Sequence, residues 1–147
     1  MKDVRLLDMP FDPAAAIDHF AADKGDAGGV ASFVGKVRPT GGVEALELSH
    51  YAPLTLPGME ALADEALVRF DLMGLLIVHR SGLLYPGDPI VLVAAASRHR
   101  RDAISAVDFT MDHLKSDAWL WKREKRSDGW HWIEPREADY ADIQRWQ

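Results

Sequence analysis

Lys115 and Lys122 stand seven residues apart, the first at the end of a helical pattern and the second inside a strand-like run. Ammonium groups that share a pocket repel one another, which lowers the pKa of at least one and makes it usable for proton transfer or as a nucleophile. A lysine at a helix C-terminus is also an ordinary complement to the helix dipole, so the spacing alone leaves both readings open. A second cluster, Ser97-Arg98-His99-Arg100-Arg101, falls where a strand-like run gives way to a helical pattern. Free backbone N–H groups and the positive end of the dipole meet at such a junction, and arginine adds a bidentate fork suited to phosphate.

Both clusters lie in a basic island. Residues 96 to 126 carry eight Lys/Arg against five acids, net +3, within a chain of net charge −6, which leaves −9 elsewhere. An island of that kind suits a small anion better than a nucleic acid, because the surrounding negative field repels a long phosphate backbone. A solvated helix face with i,i+4 pairing explains the same composition without any ligand. The 147 residues include no cysteine, which removes disulfides, thiolate metal sites, a cysteine nucleophile and any persulfide on this chain. The six histidines show no metal-ligand spacing, and neither a phosphate-binding glycine loop, a dinucleotide fingerprint nor a G-x-S-x-G elbow is present. No metal and no cofactor are expected.

The elements that must position these residues follow from pattern. Val4 to Leu7 reads as a strand, Asp12-Pro13 as the N-cap and first position of a helix through Ala22, and Gly28 to Arg38 with Val43 to Tyr51 as a hairpin about Pro39-Thr40-Gly41-Gly42. Met59 to Met73 places Leu62, Ala66, Phe70 and Met73 at helical spacing. Leu75 to Leu84 and Ile90 to Ala96 are strand-like runs about Tyr85-Pro86-Gly87-Asp88, followed by a helix from Arg100 to Leu114 whose buried stripe is Ile104, Val107, Met111 and Leu114. Trp119 to Arg126 and Trp130 to Glu134 form a last hairpin about Ser127-Asp128-Gly129, before a short polar helix. All five tryptophans fall within the last 29 residues, as hairpin packing or as an aromatic wall for a flat ligand or partner. With 48% apolar residues and no repeat or linker, residues 1–147 make one α+β domain. The charged N-terminus and the shortness of every apolar run, against the roughly 20 residues a membrane span needs, predict a cytoplasmic protein with no membrane segment.

Phe33-Val34-Gly35-Lys36-Val37-Arg38, His50-Tyr51, His79-Arg80-x-Gly82, Pro86-Gly87-Asp88, Ser97-x-His99-Arg100, Met111-Asp112-x-Leu114-Lys115, Trp121-Lys122-Arg123-Glu124 and Trp132-Ile133-Glu134-Pro135-Arg136-Glu137 together resemble, in order, the large catalytic subunit family of molybdopterin synthase. The resemblance implies a hammerhead-like α/β arrangement of antiparallel strands with three to four helices. It also implies an enzyme of molybdenum-cofactor biosynthesis, a sulfurtransferase that converts cyclic pyranopterin monophosphate to molybdopterin. The sulfur arrives as the C-terminal thiocarboxylate of a small ubiquitin-like subunit ending in Gly-Gly, and two large subunits form the central dimer of a heterotetramer. Carried over by position, Lys115 and Lys122 take the catalytic roles, Lys115 as general acid/base with a possible amide-like link to the tail. Lys36, Val37, Arg38, His99, Arg100, Arg123, Glu124 and Arg136 join them as contacts to the pterin or its phosphate. Two departures stand out: Ala52-Pro53-Leu54 follows His50-Tyr51 where the family has Pro-Gly-Met, which here comes later as Pro57-Gly58-Met59, and Ala118-Trp119-Leu120-Trp121 lacks the family's proline. The competing class is a non-catalytic scaffold that binds an anion or a partner through the same island. The closing Arg145-Trp146-Gln147 argues against the sulfur-carrying subunit itself.

Overall fold

The computed structural model describes residues 1–116 and 119–147. In chain order the elements are β1 (Lys2–Leu7), α1 (Pro13–Ala22), β2 (Gly29–Lys36), β3 (Ala45–His50), α2 (Ala52–Arg69), β4 (Gly74–Arg80), β5 (Gly82–Leu84), β6 (Pro89–Ser97), α3 (Arg100–Ser116), β7 (Leu120–Arg126), β8 (Gly129–Ile133) and α4 (Glu137–Ile143), then a 3₁₀ turn at Gln144–Trp146. Two four-stranded sheets result, ordered β1-β4-β6-β2 and β5-β3-β7-β8. Every pairing is antiparallel except β1 with β4. The architecture is a single α+β domain.

Period-2 alternation in β4 divides the core. Leu75 and Ile77 join Met59, Leu62 and Ala66 of α2 and Ala103, Ala106 and Phe109 of α3 on one face, while Leu76 and Val78 meet Phe20 of α1 on the other. Covered on both faces, β4 is buried along its whole length and therefore reads as the unbroken apolar run Gly-Leu-Leu-Ile-Val. Asp12 caps α1 by accepting from the Ala14 and Ala15 N–H groups at 3.0 and 3.3 Å, as the Asp-Pro signal requires. No helix among the described residues is long and apolar enough to cross a membrane.

Four expectations need correction. The segments around Pro39-Thr40-Gly41-Gly42 are not a hairpin: β2 pairs with β6 in the first sheet and β3 with β5 and β7 in the second. Gly41 and Gly42, at φ +76° and +75°, carry the chain between sheets, and alternation along a strand says nothing about which strand will be its neighbour. The run from Leu75 to Leu84 is interrupted at Ser81, and Gly82 at φ +89° sends β5 to the other sheet. α2 begins at Ala52, about two turns before Met59, with Pro53 in its first turn and Pro57 inside it, whereas Phe70 and Met73 lie beyond its end. The α3 stripe holds at Val107 and Leu114, which are buried, and at Met111, which packs against the core, but Ile104 is 57% exposed while Ala103, Ala106 and Thr110 are sealed, because a helix laid closely on a sheet turns small residues inward.

Candidate functional site

The two sheets and the C-terminal end of α3 enclose a cavity of about 370 Å³. Lys36 reaches it from the end of β2, Arg38 from the segment just after, His79 from the end of β4, Lys115 from the last turn of α3 and Lys122 from β7, among apolar walls such as Leu48 and Ile133. An adjoining hollow of about 330 Å³ shares both lysines, Lys36 and Arg38, and adds Glu124, Arg126, Arg136 and Asp139. The pleat decides which side chains of β7 take part: Lys122, Glu124 and Arg126 line these spaces, whereas Arg123 points to the other face. There Arg123 Nε donates to Glu47 Oε1 at 2.8 Å, and the guanidinium stacks 4.4 Å from the centre of the Trp130 ring.

Val37 lines the second hollow beside Lys36 and Arg38, but most of its surface is buried. Its side chain is packed with Leu46, Leu48 and Leu84, its N–H donates to the Asp88 carbonyl and its own carbonyl accepts from Gly87 N–H. Its work in this chain is to hold Lys36 and Arg38, on either side of it, toward the cavity. His99 and Arg100 are exposed at the opposite end of α3 from Lys115, about 22 Å along the helix axis at 1.5 Å per residue. Within one chain they do not reach the lysines. The Ser97 hydroxyl accepts from the His99 N–H at 3.1 Å and donates to the His99 carbonyl at 2.8 Å, which fixes this junction.

Electrostatics distinguish the two lysines. Burial pushes the Lys122 ammonium below the usual lysine range, the nearby Lys115 charge pushes it further, and Asp139 and Glu124 pull part of the way back. The repulsion expected from the sequence is present, but burial is the larger cause. Lys115 is exposed at the mouth. Arg136 and Asp139 form a reciprocal unit at the start of α4, where the Asp139 carboxylate accepts from the Arg136 N–H at 2.9 Å and from its guanidinium at 3.3 Å. Burial alone would raise the Asp139 pKa; these bonds and the Arg136 and Lys115 charges hold it below the ordinary carboxylate value.

Sequence reasoning assigned no role to His79 or Asp139. The signal for Asp139 is its spacing, three residues after the residue preceding α4. His79 ends the otherwise apolar row Leu75, Ile77, His79, a polar residue where the core meets the cavity. Its ring is buried and its pKa falls from 6.5 to about 4, mainly through desolvation, with Lys122 and Lys115 adding to the shift against the raising effect of its bond to Arg80. A base whose folded pKa is depressed costs stability as pH falls through the window between the two values, because only the unfolded chain takes the proton. Between pH 6.5 and 4 the protein should lose about 3 kcal/mol that a His79→Leu chain retains, to order of magnitude, as read from denaturant midpoints at both pH values.

The two departures noted in the sequence touch one another. Trp119 packs its indole against Gly58, where a Cβ would come within 2.5 Å of the ring, and its carbonyl accepts from Thr55 Oγ1 at 2.7 Å. Ala118 lies outside the described residues.

The family model described as MoaE protein matches residues 6–117. A molybdopterin synthase catalytic subunit from Caulobacter vibrioides is 44% identical over 144 residues, 97% of this chain and 96% of its own length. The solved structure of a molybdopterin biosynthesis MoaE protein from Burkholderia ambifaria has a TM-score of 0.85 at 40% identity, covering 99% of this chain and 98% of that one. A crystal structure of molybdopterin synthase from Staphylococcus aureus has a TM-score of 0.78 at 31% identity, covering 87% and 94%.

Proposed function

Since the chain belongs to the MoaE protein family, we propose that it is the catalytic subunit of a molybdopterin synthase, a cytoplasmic sulfurtransferase acting on cyclic pyranopterin monophosphate. The observation that carries this reading is the gathering of Lys115 and Lys122 with Lys36 and Arg38 around one cavity, the inner lysine having a weakened hold on its proton. Replacement of a substrate oxygen by sulfur needs a proton delivered to the departing oxygen, and a lysine of lowered pKa is suited to give one near neutrality. Lys36 and Arg38 supply fixed positive charge for the phosphate through the reaction. Lys115, exposed at the edge of the cavity, takes the role of the group that meets the terminal carbonyl of an incoming tail, as general acid/base or through an amide-like link. With no cysteine in the chain, the sulfur must come on another molecule. A small ubiquitin-like subunit ending in a Gly-Gly thiocarboxylate meets that need.

His99 and Arg100, if they bind the same substrate, must reach the cavity from a second copy of the chain. A central dimer flanked by two small subunits supplies that geometry, and the reading as a non-catalytic scaffold loses ground because the full-length relatives are catalytic subunits by name. Incubation with a thiocarboxylated small subunit and the cyclic pterin should yield molybdopterin, identified by mass. In the same assay, a chain lacking Lys115 mixed with a chain lacking His99 and Arg100 should recover part of the activity that each has lost. Complex formation without product would overturn the catalytic reading, and product without recovery in the mixture would overturn the shared site alone.

A further inference from the structure

Among the described residues, the cavity is lined by one polar side chain of the opposite character to the rest. Lys36, Arg38, Lys115 and Lys122 present ammonium and guanidinium groups, which donate hydrogen bonds and accept none. His79 lines the same cavity, and its Nδ1 lies 2.8 Å from the Arg80 carbonyl oxygen. A carbonyl only accepts, so Nδ1 carries the proton and Nε2, on the far side of the ring, carries a lone pair. Nε2 makes no hydrogen bond among the described residues, and it is not one of the sealed side-chain atoms left without a partner, which are Arg80 Nε and Thr110 Oγ1. A histidine kept only for packing would be enclosed on both nitrogens. This one has its orientation fixed by the backbone, and its acceptor, without a partner among the described residues, belongs to a ring that lines the cavity.

We propose that His79 orients the substrate by accepting a hydrogen bond at Nε2 from a substrate N–H or O–H, so that the site selects an anion that also carries a donor. The inference rests on the proposed function and names a contact within it. The surrounding cations fix where the phosphate lies, but point charges leave a flat ligand free to rotate about that anchor. A single directional acceptor removes the rotation. The neutral ring is what makes the contact possible, because a charged imidazolium would offer a fifth donor and repel both lysines.

The test uses the complete two-subunit enzyme with the cyclic pterin. His79→Leu, which keeps the volume and removes the acceptor, should raise KM for the pterin about tenfold, the loss of one buried hydrogen bond, and leave KM for the thiocarboxylated subunit unchanged. His79→Gln, which sets an amide oxygen near the Nε2 position, should recover most of that loss. A merely structural histidine would instead move both KM values together with the melting temperature, and glutamine would be no better than leucine. If the leucine chain does not fold, ¹⁵N spectra of wild-type protein labelled at histidine decide: the Nε2 resonance should move on saturation with the cyclic pterin. A resonance that stays in place, or an unchanged pterin KM in His79→Leu, would overturn the proposal. Failure of the wild-type enzyme to make product would instead count against the proposed function.

Discussion

Lys122→Ala should lower the rate of product formation by about 10²- to 10⁴-fold, the range for loss of a positioned acid–base group. Lys122 is the lysine whose surroundings alter its chemistry: it is drawn from solvent on β7, with Lys115 nearby and only partial compensation from Asp139 and Glu124. If its ammonium is the active form, activity falls as pH rises through its pKa, and because that pKa is lowered the falling limb lies below the pH at which an ordinary lysine titrates. Lys115→Ala should reduce the rate as severely through loss of the group at the mouth. In that variant the remaining activity should persist to higher pH, since removing a neighbouring positive charge lets Lys122 keep its proton longer. Single-turnover assays with the thiocarboxylated subunit across pH would measure both effects. Near-normal turnover in either variant would remove that lysine from the reaction.

The largest effect on stability is expected at Phe109, whose side chain is fully buried. Its ring meets Phe70 edge-on at 5.6 Å and Trp146 at 5.4 Å, and lies 4.2 Å from the His113 ring, with the Arg69 guanidinium 5.1 Å from its centre. The end of α2, the middle of α3 and the closing 3₁₀ turn all converge on this one side chain. Phe109→Ala should cost about 3–5 kcal/mol, through lost transfer free energy and a cavity that three rigid elements cannot collapse to fill. For a domain of this size that is a fall in melting temperature of about 10 to 16 °C. A shift of only 1 or 2 °C would mean that these elements repack freely. Trp146 is tied down separately by its Nε1–H, which donates to Asp112 Oδ2 at 2.6 Å, and Arg145 also pairs with Asp112, so the turn should stay near α3 in the variant and limit unfolding to the aromatic cluster's surroundings.

The sequence was most informative where chemistry is local. Asp12-Pro13 started a helix, Tyr85-Pro86-Gly87-Asp88 made a turn closed by the Asp88 N–H donating to the Tyr85 carbonyl at 2.9 Å, and Ser127-Asp128-Gly129 joined β7 to β8. It was least informative where the answer depended on a distant partner. Nothing in Val43 to Tyr51 distinguishes pairing with the preceding strand from pairing with β7, which lies more than seventy residues further on. The α3 stripe missed at Ile104 for a related reason: Ile104 is more apolar than Ala103, but closeness to the sheet selects the smaller residue. In the candidate site, residue type and spacing singled out Lys115 and Lys122, while Lys36 and Arg38 were named only through the resemblance; the structure brings all four to one cavity. Arg123 beside Lys122 could be assigned a face only once the register of β7 was known, and His79 could be recognised only once the cavity at the end of its row was visible.

The pairing of β1 with β4 has a consequence for synthesis on the ribosome. β1 emerges well before its sheet partner: Lys2 to Leu7 pair with Leu75 to Arg80, so the strand has no hydrogen-bonded neighbour until about seventy further residues have followed it. The cavity waits longer still, since Lys36, His79, Lys115 and Lys122 come from four separate elements and Arg136, which lines the neighbouring hollow, follows them all. A nascent chain therefore offers no assembled cationic pocket to cellular anions until β7 has followed the first six strands and delivered Lys122. In exchange it exposes an unpaired strand edge, which is the stretch a chaperone would need to shield.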